Sequence, residues 1–160
     1  MSASCDHDHH RRGLAGAALG QALERAAARM EGRGERMTAP RRRVLGLLLE
    51  AGEPVKAYDL IARFGDDGQA AKPPTVYRAL EFLEKQGLAH RIASLSAYVA
   101  CNDAGRDHAA AFLICDCCGA SEEAQAALDG VVAEAAGRAG YVVHGVTLEA
   151  HGLCRDCRED

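Results

Sequence analysis

The stretch that decides the fold is PPTVYRALEFL, residues 73–83. Its apolar residues recur at spacings of four and three, which predicts the buried stripe of an amphipathic helix. These residues are Val76, Leu80 and Leu83. Two prolines open the stretch and Gly87 closes it, as is typical of helix boundaries. The stretch therefore predicts a helix with one buried face and one outward face.

Shorter periodic segments surround this helix and predict the rest of a first domain. Helices are predicted around residues 19–30, from the N-cap Thr38 to Gly52, and over residues 57–64, and strands over 88–93 and 97–101. Three or four short helices followed by a β-hairpin is the order of a winged helix-turn-helix.

The remaining residues predict a second, smaller α/β module. A strand is predicted over 109–115, a helix around 124–139 and another strand over 141–150. The predicted fold class is therefore α+β. Its parts are a flexible tail at 1–12, a winged-helix domain at 13–101, a linker at 102–108 and the second module at 109–160.

Composition and length narrow the class of protein. A chain of 160 residues suits one domain or two small ones, and 48% hydrophobic residues suffice for a folded core. No run of 18 apolar residues is present, which excludes a membrane-spanning helix. The pair Arg11-Arg12 imitates a twin-arginine signal, but acidic residues precede it. We therefore expect an amphipathic helix there and a cytoplasmic protein.

The net charge of −4 conceals an asymmetry between the two parts. Residues 1–94 carry 15 Lys and Arg against 12 Asp and Glu, whereas residues 95–160 carry 4 against 11. A basic first part joined to an acidic second part indicates two separate tasks.

Two Cys-x-x-Cys pairs, Cys115/Cys118 and Cys154/Cys157, are the strongest chemical signal. Two thiolates three residues apart can reach one tetrahedral ion, and two such pairs complete a closed zinc site. The 35 residues between the pairs exceed the spacing of a compact zinc ribbon, so the pairs would staple two ends of one module. Redox disulfides are the alternative. Cys117, inside the first pair, is expected to be a spare thiol.

Two further patterns leave their alternatives open. Tyr77 and Arg78 lie in the first turns of the 73–83 helix, where a recognition helix reads bases, but a solvated helix face would look the same. A second, scattered set would suit four-coordinate zinc. It consists of His90, Cys101, His108 and Glu123. Taken singly, these residues equally suit core or surface positions.

Four segments stand in the order of one known family: AKPPTVYRALEFL at 71–83, YVAC at 98–101, FLICDCCG at 112–119 and EAHGLCRDC at 149–157. From about residue 17 to residue 158 the chain resembles the ferric-uptake-regulator (Fur) superfamily, and within it the zinc-uptake-regulator (Zur) branch. The resemblance implies a zinc-responsive repressor that binds double-stranded operator DNA as a zinc-loaded dimer and represses zinc-uptake genes. It makes the second module a dimerisation domain with a zinc-stapled knuckle.

The resemblance also implies roles for single residues and two Zn²⁺ ions per chain. Structural zinc would be held by Cys115, Cys118, Cys154 and Cys157, and regulatory zinc by His90, Cys101, His108 and Glu123. DNA contacts would come from Tyr58, Thr75, Tyr77 and Arg78. No catalytic residue, membrane contact or small-molecule substrate is expected.

One departure from the family pattern helps to predict which metal ion the chain senses. Iron-sensing relatives carry a histidine-rich run before the knuckle, and this chain has RDHA at 106–109 instead. A thiolate at Cys101 also suits zinc better than ferrous iron. An iron or manganese sensor is the nearest alternative, and a zinc or thiol enzyme a distant one. The tail residues Cys5, His7, His9 and His10 are either inert or an accessory metal site.

Overall fold

The structure of the chain is a computed structural model. It describes residues 13–65, 72–101, 110–125, 129–144 and 146–158. These residues divide into two compact units, 13–101 and 110–158, which we call the winged unit and the cysteine unit. The expected tail at 1–12 and the expected linker at 102–108, with His108, lie outside the described residues. No helix among the residues described is long and apolar enough to cross a membrane.

The winged unit contains four helices and three short strands. In chain order they are α1 (Gly16–Gly32), α2 (Ala39–Ala51), β1 (Val55–Lys56), α3 (Ala57–Phe64), α4 (Pro73–Lys85), β2 (Ala89–Ile92) and β3 (Ala97–Ala100). The strands form an antiparallel sheet in the order β1-β3-β2, with His90 opposite Val99. The winged helix-turn-helix predicted from the order of elements is confirmed. The sequence prediction omitted β1, because two residues show no periodicity.

The core of the winged unit holds α4 in place. Each helix contributes at least one fully buried side chain: Met30 from α1, Leu48 from α2, Leu60 from α3 and Leu83 from α4. The stripe predicted for α4 is buried throughout. Thr38 occupies the predicted N-cap position of α2, although its side chain makes no capping hydrogen bond.

The end of α4 turns the chain directly into the wing. Gly87 has a φ of +66°, its N–H donates to the Glu84 carbonyl oxygen at 2.9 Å, and the Leu88 N–H donates to the Leu83 carbonyl oxygen at 2.8 Å. These two bonds form a Schellman motif, which favours glycine at its left-handed position. The motif places β2, and with it His90, immediately beside α4.

The cysteine unit consists of three strands and one helix: β4 (Ala110–Cys115), β5 (Ser121–Gln125), α5 (Asp129–Ala139) and β6 (Thr147–Gly152). Its sheet has the order β5-β4-β6. The β4 and β5 strands are antiparallel, whereas β4 and β6 are parallel. Phe112, at the centre of β4, is the largest fully buried side chain of this unit.

The sequence prediction was wrong in three places in the cysteine unit. Ser121–Gln125 forms β5, although no strand was predicted there and its last two residues were assigned to the helix. The described helix begins at Asp129 rather than around residue 124, and the last strand begins at Thr147 rather than at residue 141. Glu, Ala and Gln favour helices, but pairing with the buried strand β4 overrides that preference.

Candidate metal centres and nucleic-acid interface

The parallel pairing of β4 and β6 assembles the four-cysteine cluster. Cys115 lies opposite Gly152, so the two strands end at the same edge of the sheet. The first Cys-x-x-Cys pair lies at the end of β4 and in the following turn, and the second pair follows β6. The four sulfur atoms consequently lie within 4.8 Å of one another. Strand topology thus unites residues that are far apart in the sequence.

The geometry and the donor set of this cluster fit zinc. The sulfur atoms of Cys118 and Cys154 lie 3.8 Å apart. A tetrahedral ion with Zn–S bonds of about 2.3 Å requires sulfur atoms separated by about 3.8 Å. All four thiols are free of disulfide bonds. Four thiolate ligands leave no open position, which is typical of a structural site rather than a catalytic one.

The surroundings of the cluster shift the pKa values of Cys115 and Cys157 in opposite directions. Burial tends to raise the pKa of Cys115, but hydrogen bonds from the backbone N–H groups of Cys118, Cys154 and Cys117 outweigh it and lower that pKa to about 6. The bond from Cys154 spans 3.3 Å. Burial raises the pKa of Cys157, and its three sulfur neighbours raise it further. Cys115 is therefore the thiol most ready to offer a metal its first thiolate.

Two features lie next to the four-cysteine cluster but contribute no sulfur atom to it. The His151 Nδ1–H donates to Asp116 Oδ1 at 3.1 Å, which ties the end of β6 to the turn after β4. Cys117 is exposed on the same turn and does not belong to the group of four sulfur atoms. It forms a disulfide bond, so the expectation of a spare thiol is wrong. The structure therefore keeps Cys117 apart from the predicted structural ligands.

The winged unit brings together two of the four residues expected at a regulatory site. His90 lies on β2, and Cys101 directly follows β3, the strand that pairs with β2. The Cys101 N–H donates to the Leu88 carbonyl oxygen at 3.0 Å, which fixes Cys101 beside β2. The sulfur of Cys101 and a ring nitrogen of His90 lie within 4.8 Å of one another. A nitrogen and a sulfur at this separation can both bind one zinc ion.

The other two expected regulatory ligands belong to the second half of the chain. Glu123 is half-buried on β5 of the cysteine unit, opposite Phe112. His108 lies outside the described residues. The described geometry of the winged unit therefore covers one half of the expected site.

The predicted DNA-contacting residues lie on α3 and α4. Tyr58 is 79% exposed in the first turn of α3, and Tyr77 is 50% exposed in α4. Arg78 is exposed beside Tyr77, and Thr75 is half-buried in the first turn of α4. Large aromatic side chains exposed at the start of a helix, next to an arginine, suit contacts with bases and phosphates.

The family of the chain follows from comparison with known proteins. The model of the Ferric uptake regulator family matches residues 32–151. The chain belongs to this family. The match covers α2 to α4, the wing and nearly all of the sheet of the cysteine unit. It includes the first Cys-x-x-Cys pair, whereas Cys154 and Cys157 follow its last residue.

Several similar members of the ferric uptake regulator family are zinc uptake regulators. The zinc uptake regulation protein of Escherichia coli (strain K12) is 39% identical over 129 residues, which cover 79% of this chain and 75% of the relative. A zinc uptake regulator solved in complex with zinc and DNA superposes with a TM-score of 0.81 at 36% identity, over 90% of this chain and 97% of that one. Holo XcZur superposes with a TM-score of 0.74 at 37% identity, over 89% of this chain and 100% of that one.

Arg41 is a residue of this family member that sequence reasoning missed. Its guanidinium carbon lies 3.4 Å from the centroid of the Phe82 ring, so a cation–π contact joins α2 to α4. Its Nη1 also donates to the Arg36 carbonyl oxygen at 2.6 Å. No local sequence signal links residues 41 and 82, because only tertiary packing brings them together. Arg41 supports the orientation of the helix that carries Tyr77 and Arg78.

Proposed function

We propose that the chain is a zinc-responsive transcriptional repressor that binds operator DNA as a zinc-loaded dimer and represses zinc-uptake genes. The observation that carries this proposal is the similarity, at a TM-score of 0.81 over 90% of the chain, to a zinc uptake regulator solved with zinc and DNA. A DNA-binding repressor would act in the cytoplasm, and its role would be regulatory rather than catalytic.

The first zinc ion of the proposal is structural. Cys115, Cys118, Cys154 and Cys157 would hold it, and the 3.8 Å separation of two of their sulfur atoms supports this assignment. Because the two pairs lie at the ends of β4 and β6, the ligands would lock the parallel strands together. A structural zinc site contributes on the order of 10 kcal/mol to folding at neutral pH.

The second zinc ion of the proposal is regulatory, with His90, Cys101, His108 and Glu123 as its ligands. The closeness of His90 to Cys101 supports the half of the site within the winged unit. The four residues come from the winged unit, from the expected linker at 102–108 and from the cysteine unit, so full coordination would restrain the two units in one arrangement. If that arrangement binds DNA best, a coupling of about 1–3 kcal/mol gives about 5- to 150-fold tighter binding.

DNA reading is assigned to α3 and α4. Arg78 would bridge a guanine or contact a phosphate, Tyr77 and Tyr58 would contact bases or phosphates, and Thr75 would contact the backbone. The exposure of both tyrosines supports this assignment, because a large apolar ring in water is better explained by a partner than by packing.

The dimer is assigned to the cysteine unit. Apart from Tyr58 and Tyr77, the large apolar side chains exposed among the described residues all belong to this unit. They are Leu113, Val131, Tyr141, Val142, Val143, Leu148 and Leu153. An apolar surface of this kind favours association with a second copy of the chain.

A randomised duplex library allows the proposal to be tested without a known operator sequence. The library is selected against the zinc-loaded protein, and the enriched DNA is titrated at buffered free zinc. We expect wild-type affinity to rise with zinc, and Cys101→Ser to keep the structural zinc but remain near the metal-free affinity. Glu123→Ala should act in the same direction but more weakly, because water can replace a carboxylate ligand. DNA binding of Cys101→Ser in step with zinc would reject the regulatory site.

The same titration separates zinc sensing from its nearest alternative. An iron or manganese sensor would regain DNA affinity with ferrous iron or Mn²⁺ at buffered concentrations at which zinc has no effect. The zinc-named relatives at 36–39% identity favour zinc.

A further inference from the structure

A cleft of about 480 Å³ lies within the winged unit. Its walls come from α1, from the second half of α2, from Leu88 before β2 and from the end of β3. Cys101, one of the proposed regulatory ligands, also lines it, whereas none of the residues proposed to contact DNA does. The apolar part of its lining includes Ala22, Ala26, Leu45, Leu48, Leu88 and Val99. Its volume falls within the roughly 300–1,000 Å³ typical of small-molecule sites.

The segment that precedes α1 forms a fixed wall of this cleft. The Leu14 N–H donates to the Leu49 carbonyl oxygen at 2.8 Å. At Gly13, a Cβ atom would lie 1.6 Å from the Glu50 carbonyl oxygen, so only glycine fits there. The segment before α1 is therefore packed tightly against the end of α2, and this side of the cleft is well ordered by backbone contacts.

An arginine supplies the polar group of the cleft. Arg29 lines it, and the Nη1 atom of Arg29 is shielded from solvent without a hydrogen-bond acceptor among the residues that the structure describes. A charged N–H group buried without an acceptor is costly. The neighbouring Nη2 lies 3.8 Å from the position of a Cβ on Gly87, which sets the guanidinium against the end of α4. Arg25 adds a second positive charge to the lining.

We propose that this cleft binds a small amphipathic carboxylate. The apolar body of the ligand would pack against the leucine, valine and alanine side chains. Its carboxylate would pair with the Arg29 guanidinium, which would turn to bring its unpaired Nη1–H to the cleft. An inorganic anion would satisfy the arginine but leave the apolar walls uncovered, whereas an alcohol would cover the walls but leave the charge unpaired. The inference does not depend on the proposed response to zinc.

Octanoate is a suitable probe, titrated into the full-length, zinc-loaded protein by calorimetry and by amide NMR. We expect saturable binding, with shifts at Ala22, Ala26 and Leu48. Octan-1-ol and octylammonium share the chain but not the negative charge, so each should bind about tenfold more weakly or worse. Equal binding of the three probes, or no saturable binding of octanoate, would overturn the proposal.

Two variants and one matched control locate the site. Arg29→Gln should weaken octanoate binding about tenfold, because it removes the charge but keeps a polar side chain. Arg33→Gln is the control. Arg33 is the C-cap residue of α1, four residues after Arg29; it donates to the Gln86 carbonyl oxygen at 3.5 Å and does not line the cleft. Ala22→Leu should also weaken binding by filling the cleft, and it serves if Arg29→Gln does not fold. Wild-type affinity in a folded Arg29→Gln or Ala22→Leu protein would reject the site.

Discussion

In the winged unit, four helices close over fully buried side chains such as Met30, Leu48 and Leu83. In the cysteine unit, the buried side chains described are those of β4 together with Cys157, and most large apolar side chains of the unit are exposed. The stability of a small domain comes mainly from the apolar area that it buries. The winged unit therefore buries enough apolar area to fold by itself. The cysteine unit buries less, and in the proposed function it would depend on structural zinc and on a second copy of the chain.

This difference corresponds to different tasks. A DNA reader requires a rigid helix, and the core under α4 supplies it. A unit that is proposed to bind metal and a second chain instead leaves its apolar surface exposed. Substitutions in the two units test this difference.

The largest effect is expected from Cys118→Ser. Removal of one of four thiolate ligands should abolish tight zinc binding and remove on the order of 10 kcal/mol of folding free energy from the cysteine unit. The winged unit should keep its NMR dispersion. Zinc content by mass spectrometry and unit-resolved NMR measure both effects.

Cys117→Ser is the matched control for this variant, since it changes an exposed cysteine on the same turn. In reducing buffer it should retain zinc and fold normally. A Cys118→Ser protein with full zinc content and a folded cysteine unit would show that the cluster is not the structural site.

The second effect concerns the apolar core of the winged unit. Leu60 is fully buried on α3, so Leu60→Ala should lower the free energy of unfolding of the winged unit by about 2–5 kcal/mol. Zinc content should not change, because the two units are stabilised by different means. Denaturant titration followed by NMR reports each unit separately. Tyr58→Ala, on the same helix but exposed, should change this stability by no more than about 0.5 kcal/mol.

A smaller effect is expected for the DNA-reading face. Arg78→Ala should cost about 1–3 kcal/mol of binding to selected DNA if Arg78 reads a base, and Tyr77→Ala should likewise weaken binding. Zinc content and dimerisation should stay at wild-type levels. Lys85→Ala changes an exposed charge at the opposite end of α4 and should have less effect. Comparison of selected with random DNA across salt concentrations separates base reading from phosphate contact, and equal affinity of the Arg78, Tyr77 and wild-type proteins would exclude this face.

The smallest effect is expected from Arg41→Gln. Loss of the contact with the Phe82 ring should reduce the stability of the winged unit by about 0.5–1 kcal/mol and lower DNA affinity through the orientation of α4. Arg42→Gln is the matched control, because Arg42 forms an exposed ion pair with Glu24 at 2.6 Å, remote from Phe82. Thermal unfolding and DNA titration of the two variants measure the difference. If Arg42→Gln lowered DNA affinity as much as Arg41→Gln, the orienting role of Arg41 would be wrong.

Sequence periodicity predicted the winged unit well, because its helices bury regular stripes and end at glycines such as Gly52 and Gly87. The same reasoning missed β5 in the cysteine unit, because Ser121–Gln125 has helix-favouring residues and becomes a strand only by pairing with β4. Local preference predicts an element when its own residues supply the burial. It fails when pairing with another strand determines the conformation.

For the candidate sites, too, local motifs could be predicted from the sequence, whereas contacts between distant residues could not. Spacing alone identified the two cysteine pairs, since a Cys-x-x-Cys turn is a local motif. The parallel register that unites them, with Cys115 opposite Gly152, has no local signature. The contact between Arg41 and Phe82 likewise depends on tertiary packing. Sequence therefore predicted candidate ligands and a candidate reading helix but not the contacts that position them.

The parallel register of β4 and β6 also has a consequence for the time course of folding. The hairpin of β4 and β5 closes a short turn, whereas pairing of β4 with β6 must close a loop that spans residues 116–151. Longer loops close at a higher entropic cost, and non-local pairing slows folding. Cys115 and Cys118 are thus the first thiols available to capture an ion, and the second pair arrives only when β6 docks. The refolding rate of the cysteine unit should rise with free zinc concentration until docking of β6 itself becomes the slow step.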